Sequence, residues 1–562
     1  MTKDPSVKKR IPHLNKVRRA GGSGKTGKGE KPVRDPAAEA RALEYAHKLS
    51  RMVQYDTTSY PYSDEHPQAV QHARYLQYHK ILEDLFPLVH KYLEKTEIDG
   101  SLLYYWKGAS SDRPIVLMGH QDVVPVAGAS WGSRGHAAAA APGTDSPGQK
   151  EEFAAPGTDS PGQGEESAAP VTDSPGQKEK SAAPGTGSPG QGDPVSPEPA
   201  SAWEHPPFSG EIADGKVWGR GSVDTKCSCM AIFQAMEELL AGDASFQPPQ
   251  DIYFSTSCTE EWGGPGCPAI IEELRRRGVR PWMVCDEGGG IYPDPMPGVR
   301  APFAMIGVGE KGRANVRFIA RGTGGHASTP KRNTPIARIA AFVSHVERHS
   351  PFRSRMQAET RAMLESVAPE AVLPFRLALQ NLWLFRKPIE MVTPKVSGQA
   401  AAMLETTITF TMISGGDAFN VFPQEASVGA NLRFVHHEDM EESLDVIRKT
   451  ADRFGLETEV VHAAPCTRMV DIHGDAYRYV VETVHKTFPG LRTSPYVLTA
   501  ATDAAFYDEI CDNCIRFAPI VYGPAEKKGI HGTNEALPYD CLPGAVDFYK
   551  NLITDAMDLA SH

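Results

Sequence analysis

Ile115-Val116-Leu117-Met118-Gly119-His120-Gln121-Asp122-Val123-Val124-Pro125 is the stretch from which the rest of the chain can be read. Its four leading apolar residues show no alternation and are too few for a helix, the pattern of a strand buried on both faces. Glycine ends the run, and an imidazole and a carboxylate follow at once. Residues 252–255 and 282–285 have the same form and are also followed by acids. After the first comes Thr259-Glu260-Glu261-Trp262-Gly263-Gly264, after the second Asp286-Glu287-Gly288-Gly289. Residues 230–240 and 268–274 read as the intervening helices. Upstream, Asp35-Pro36 offers an N-cap and a first-turn proline ahead of a stripe of Leu43, Ala46, Leu49 and Val53. Strands alternating with helices define an α/β protein. In an open α/β sheet, ligands bind beyond the carboxyl ends of the strands, so these acid-bearing turns are expected to converge.

Composition bounds the classes available. The 562 residues are 40% hydrophobic and 23% charged, values of a globular protein with room for several cores. No apolar run approaches the ~18 residues of a membrane-spanning helix, and the basic N-terminus lacks the apolar stretch of a secretory signal. Nine cysteines, an odd number thinly spread, do not resemble a disulfide framework. A reduced, cytoplasmic protein with no membrane partner is the expectation.

Charge is unevenly placed. Residues 1–36 hold 11 Lys+Arg against 3 Asp+Glu, a local net of +8 in a chain whose balance is −11. Glycines break up any helix there, so a disordered cationic tail is expected, with no dedicated nucleic-acid partner. Between His136 and Ala200 the block Ala-Ala-Pro-Gly-Thr-Asp-Ser-Pro-Gly-Gln recurs with a period of 14, its first prolines at Pro142, Pro156, Pro170 and Pro184. Copies with so few large apolar residues have nothing to bury against one another, and the segment reads as a flexible insert.

Two further segments join the acid-bearing turns: Gly219-Arg220-Gly221-Ser222-Val223-Asp224, leading into a helix, and Ile530-His531-Gly532-Thr533-Asn534-Glu535 near the C-terminus. Carboxylates mixed with imidazoles suit zinc, or cobalt and manganese in its place. Two metals need a bridging carboxylate, for which Asp224 is the natural candidate; such a pair lowers the pKa of a water and polarises a carbonyl. Of the adjacent Glu260 and Glu261, one can serve a metal and the other protons. Asp122, two residues past His120, can hold its second ring nitrogen.

The strings Gly119 to Pro125, Trp203-Glu204-His205-Pro206-Pro207-Phe208-Ser209-Gly210 and Gly219-Arg220-Gly221 through Asp224-Thr225-Lys226 resemble the di-zinc metallopeptidase family of carboxypeptidase S, aminoacylase, carboxypeptidase G and succinyl-diaminopimelate desuccinylase. Gly324-Gly325-His326-Ala327-Ser328, Asn420-Val421-Phe422-Pro423 and His531-Gly532 continue the likeness. Asn381-Leu382-Trp383-Leu384-Phe385 resembles the carboxypeptidase S and N-acyl-amino-acid hydrolase branch. The resemblance implies an α/β catalytic domain with a central mixed sheet flanked by helices, and an inserted βαββαβ (ferredoxin-like) lid and dimerisation domain. It implies two Zn²⁺ per subunit, held by His120, Glu261, Asp286 and His531 with Asp224 bridging and followed by a cis peptide. Asp286 is taken over Glu287 because the branch favours the Asp; the adjacent Glu is the alternative. Glu260 would be the general acid/base and Asp122 the residue orienting His120. His326 would reach across a homodimer formed through the lid, and Asn420 and Arg433 would grip substrate.

The expected organisation is therefore a tail (1–36), catalytic parts at 37–132, 201–311 and 466–562, the repeat insert (133–200) and the lid (312–465). Lid elements are expected at 314–319, from Pro335, and at 406–413, 426–434, 438–453 and 457–462. Cys227-Ser228-Cys229 departs from the small residues of many relatives and reads as buried and inert. The Cys511 and Cys514 pair is weak evidence for metal or redox chemistry. The function expected is hydrolysis of amide bonds beside a free carboxylate, in small peptides or N-acyl amino acids. An aminopeptidase of the same fold would instead recognise a substrate ammonium, and a non-enzymatic scaffold would hold no metal.

Overall fold

The structure, a computed structural model, describes residues 35–126 and 203–555. The expected cationic tail, apart from Asp35 and Pro36, and the expected repeat insert lie outside the described residues.

The first helix, α1 (Pro36–Val53), starts as its sequence dictates: the Asp35 carboxylate accepts the Ala37 N–H at 3.1 Å and Pro36 fills the first turn. Its buried face is Ala42, Tyr45, Ala46, Leu49, Met52 and Val53. Leu43, expected on that face, is 37% exposed; a step of 3.6 residues per turn places it one position off the stripe. A hairpin of β1 (Glu94–Ile98) and β2 (Ser101–Trp106) precedes β3 (Ser110–Met118). Then come α2 (Lys226–Gly242), β4 (Gln250–Thr256), α3 (Gly266–Arg276), β5 (Met283–Asp286), β6 (Gly290–Tyr292) and β7 (Phe303–Glu310).

At Lys311 the chain leaves the main sheet for β8 (Gly312–Arg321), α4 (Pro335–Arg348), α5 (Leu382–Val396), β9 (Thr407–Gly415), β10 (Glu425–Phe434), α6 (Met440–Asp452) and β11 (Glu457–Ala464). It returns for β12 (Arg492–Leu498), β13 (Cys514–Arg516) and the closing helix α7 (Leu542–Thr554). The main sheet is nine-stranded and mixed, in the order β1-β2-β4-β3-β5-β13-β7-β12 with β6 paired to β7. Its centre is parallel: β3 lies between β4 and β5, and β5 pairs with β13.

The strand period of two explains the unbroken apolar runs. Ile115 and Leu117 of β3, Ile252 and Phe254 of β4, and Met283 and Cys285 of β5 pack into a core with α1, α2 and α7 on one face. Val116, Met118, Tyr253 and Val284 pack on the other, with Cys267, Ile270 and Leu274 of α3 and with Ala504 and Tyr507. Both faces are covered, so neither can be polar. The expected strand at 282–285 is shifted by one residue, which makes Asp286 the last residue of β5.

The second sheet is four-stranded and antiparallel, in the order β9-β10-β8-β11. With α4 and α6 it makes a βαββαβ unit with its own core of Ala314, Val316, Phe318, Ile339, Phe342, Val428, Leu432 and Ile447. Between α4 and β9 the chain inserts helices that pack against Phe303 and Met305 of β7. Within that insert, Trp383 is 82% exposed.

Candidate active site

The parallel strands β3, β4 and β5 end side by side, and their loops meet. Gln121 N–H donates to Ser257 O at 2.9 Å, which locks the turn after β3 against the turn after β4. His120 is buried between them. Its Nδ1 lies 2.9 Å from the carbonyl oxygen of Asp122, an acceptor that fixes Nδ1 as the protonated nitrogen and leaves the Nε2 lone pair free. That Nε2 stands 3.2 Å from Asp224 Oδ1, 3.3 Å from Glu287 Oε1 and 3.8 Å from Glu260 Oε2. On the other side, His531 Nε2 stands 3.1 Å from Asp224 Oδ2 and 3.0 Å from Glu261 Oε2. Asp224 thus offers one oxygen to each imidazole.

Asp122 is buried and does more than face His120. Its carboxylate accepts Ser59 Oγ–H at 2.6 Å and the N–H groups of Glu260 and Glu261, each at 3.2 Å. One residue therefore sets both the imidazole, through its carbonyl oxygen with the carboxylate 3.4 Å from Nδ1, and, through that carboxylate, the turn that carries the two glutamates. Glu535, also buried, sets Asp224: it accepts the N–H groups of Gly221, Val223 and Asp224 at 3.1, 2.8 and 3.1 Å, and Arg220 Nη1 at 2.7 Å. Gly221 has φ +87°, and a Cβ there would stand 2.8 Å from Val123 Cγ1, so the loop needs glycine at this position. The Asp224–Thr225 peptide is cis, as the resemblance implied.

Burial sets the electrostatics. It pushes Glu260 well above the usual carboxylate range, with the neighbouring His120 opposing and Glu287 assisting. It lifts Glu261, helped by Asp224, to about 7. Burial would raise Asp224 too, but hydrogen bonds from His120 and His531 outweigh it and hold the group below its ordinary value. Hydrogen bonds to Asp224 and Glu261 raise His531 to about 10. His120 is raised as well, the surrounding Glu287 and Glu260 carboxylates overcoming its burial. So many acids in so little space repel one another unless protons or cations lie between them.

The donor chemistry fits divalent metal. His120, Asp224 and Glu287 form one triad and Asp224, Glu261 and His531 another, the donor atoms of each lying within 4.8 Å of one another. Asp286, the expected ligand, is not among them: its carboxylate accepts the N–H groups of Ala504 at 2.9 Å and Glu287 at 2.8 Å. As the last residue of β5 it points to the Val284 side of the sheet, and the next residue, Glu287, turns to the cluster.

His326 and Asn420 are not gathered with the acids in the single chain. His326 is exposed, its Nδ1 accepting the N–H of Ser328 at 3.1 Å. Asn420 is exposed beside it, its carbonyl accepting the Ala327 N–H at 2.9 Å. Arg433 on β10 donates from Nε to Asn431 Oδ1 at 3.0 Å. Cys227 and Cys229 are buried with their thiols pushed up by burial, as expected of inert groups. Cys511 and Cys514 are buried in the core beside β5. The sequence reading missed Ser59, the Arg220–Glu535 pair, and Asp503, a buried carboxylate that accepts the Ser257 hydroxyl. Burial raises Asp503, against that hydrogen bond and with Asp286 assisting, to about 8.

A mixed sheet that gathers two imidazoles and three carboxylates at its parallel strand ends, with Glu260, an acid of raised pKa, beside them, defines a metal-dependent hydrolase of amide bonds. The chain belongs to peptidase family M20/M25/M40, whose model matches residues 192–555. It is 29% identical over 520 residues to "Probable carboxypeptidase S-like 2" of Dictyostelium discoideum, covering 91% of this chain and 85% of that protein. It is 32% identical over 366 residues to the human N-fatty-acyl-amino acid synthase/hydrolase PM20D1, covering 64% of this chain and 72% of that protein. Among solved structures, the M20 family metallo-carboxypeptidase Sso-CP2 from Sulfolobus solfataricus shares the fold with a TM-score of 0.56 at 16% identity, over 91% of this chain and 98% of that one. Human carnosine dipeptidase 1 does so with a TM-score of 0.56 at 14% identity, over 92% and 97%.

Proposed function

We propose that the protein is a two-zinc amidohydrolase that cleaves the amide bond beside a free carboxylate in N-acyl amino acids and small peptides. The observation that carries the reading is Asp224 turning one oxygen to His120 and the other to His531. On this reading His120, Glu287 and Asp224 hold one cation, and Asp224, Glu261 and His531 the other, with cobalt or manganese as substitutes. The bound cations would supply Lewis acidity to the scissile carbonyl and acidify water.

Glu260 takes a proton from the attacking water and returns one to the leaving nitrogen, a task suited to a carboxylate whose burial raises its pKa. Asp122 orients His120 and fixes the Glu260–Glu261 turn. Arg433 meets the substrate carboxylate, since a guanidinium matches it with a two-pronged fork. The names of the two relatives, a carboxypeptidase S-like protein and an N-fatty-acyl-amino acid synthase/hydrolase, support such a substrate class.

His326 and Asn420 complete the site from a second copy, docked through the lid. Strand β9 supports this: it is the edge of its sheet, and Met412 and Ile413 on it are 59% and 75% exposed. An apolar edge strand is a ready template for pairing with another chain.

The test is a panel of N-acyl amino acids and dipeptides, each with a free or amidated C-terminus, assayed with zinc, cobalt and manganese. Turnover that needs metal and a free carboxylate is expected. Cleavage of amidated substrates that requires a free N-terminus would make it an aminopeptidase instead.

A further inference from the structure

Strand β8 carries three arginines on one face, at 313, 317 and 321. The two far from the acid cluster are neutralised: Arg317 pairs with Glu459 at 3.1 Å, and Arg321 with Glu457 at 3.1 Å and with Glu425. Arg313, at the site end, is not. Its cross-strand neighbour on β10 is another arginine, Arg433. Side chains opposed in this way stand about 5 Å apart at Cβ, and like charges there are unfavourable. Among the described residues, neither guanidinium has a carboxylate within ion-pairing distance.

Both side chains project from the open face of the sheet, because the alternate residues Ala314 and Leu432 are buried in the core beneath α4 and α6. Arg433 spends only its Nε, on Asn431, which is held in turn by Asn315 at 2.8 Å. Arg313 reaches the catalytic loop: a Cβ built on Gly263 would stand 3.1 Å from its Nη2. Gly263 closes the turn that carries Glu260 and Glu261, donating its N–H to Glu260 O at 2.8 Å. Arg313 is also just past Lys311, where the chain crosses from β7 into the lid and Nζ is anchored on Ala402 O and Glu405 O at 2.8 and 2.9 Å. A residue so near the crossing keeps its place beside the site wherever the rest of the lid stands.

We propose that Arg313 and Arg433 form a dicationic subsite that selects substrates with a second carboxylate next to the scissile amide: N-acyl-aspartate, N-acyl-glutamate and peptides ending in an acidic residue. The inference rests on the reading that Arg433 meets the substrate's main carboxylate. The side-chain carboxylate falls to Arg313. A neutral side chain leaves that guanidinium unmatched, whereas an acidic one cancels both charges and removes the repulsion built into the strand pair.

The experiment compares kcat/KM for N-acetyl-L-glutamate with its neutral isostere N-acetyl-L-glutamine in the metal-loaded enzyme and in Arg313→Met and Arg313→Glu. Each variant supplies its own reference, so altered folding or metal content cancels from the ratio. The native enzyme should favour the glutamate by about tenfold or more, mainly through KM. The ratio should fall to about one in Arg313→Met and invert in Arg313→Glu, which should then favour N-acetyl-L-lysine over both. A native preference for the glutamine, or an unchanged ratio in both variants, would overturn the proposal while leaving the amidohydrolase reading intact. Turnover of none of these substrates, nor of the wider panel, would overturn both.

Discussion

The Arg220–Glu535 pair sets the position of Asp224, and replacing one partner should be costly. The side chains are 4% and 0% exposed and meet at 2.7 Å, where an effective dielectric near 20 gives an attraction of about 6 kcal/mol. In Glu535→Gln the amide oxygen can still accept the N–H groups of Gly221, Val223 and Asp224. The amide nitrogen then faces Arg220 Nη1, donor against donor, and a buried guanidinium is left uncompensated. Loss of one partner of such a pair costs about 3–5 kcal/mol. Arg220→Met alone should also destabilise, and the double variant Arg220→Met/Glu535→Gln should recover at least ~2 kcal/mol of the summed loss. Equilibrium urea unfolding of the four metal-free proteins at pH 7 measures this. Zinc affinity should fall by about tenfold in Glu535→Gln, because the donor-against-donor contact with Arg220 displaces the side chain that anchors the backbone aiming Asp224. A single variant within about 1 kcal/mol of the native protein, or strictly additive losses, would refute the reasoning.

Glu260→Gln should retain its metal by elemental analysis and lose about 10²–10⁴-fold in kcat; near-native turnover would remove Glu260 from the proton transfer. Metal loading at pH 7 should release protons, because His531, raised to about 10, is protonated in the metal-free site and must lose that charge. Calorimetric zinc titrations in buffers of different ionisation enthalpy read the release, and heats independent of buffer would contradict it. Burial lowers Lys311 to about 7 against an ordinary 10.5, so between those pH values the unfolded chain binds more protons than the folded one. The native protein should therefore gain stability over Lys311→Met as pH rises through that window, by at most about 1.4 kcal/mol per pH unit, with no further change below it. A stability difference that falls with rising pH in that range would show the sign to be wrong.

The central sheet was legible because its signal is local. A strand buried on both faces is apolar along its covered length, and residues 115–118 and 252–254 carry that rule without needing any distant partner. The strands of the second sheet were legible for the complementary reason: from Ala426 to Phe434, β10 alternates buried and half-buried residues, the mark of one covered face. His120, Asp224, Glu261 and His531 stood out because strand ends and glycine turns announce where side chains of an α/β sheet converge.

What the sequence hid was orientation and long-range pairing. Asp286 and Glu287 are chemically alike and adjacent, and which one turns to the cluster depends on whether β5 ends at residue 285 or 286, a shift inside the ordinary uncertainty of a strand end. The group that captures Asp286 is the N–H of Ala504, 218 positions away. Asp122 was read as an orienter of His120 alone, since its grip on the Glu260–Glu261 turn exists only once two loops meet. Arg313 showed nothing in one dimension, where it is one arginine among many on a strand; its significance lies in the register that sets it opposite Arg433.

The most direct test of the account is an anomalous diffraction experiment at the zinc edge on crystals of the zinc-loaded protein. Two peaks per chain are predicted, one bounded by His120, Asp224 and Glu287 and the other by Asp224, Glu261 and His531, with Glu260 bound to neither. A single peak, an empty cluster, or a zinc held by Asp286 would contradict it.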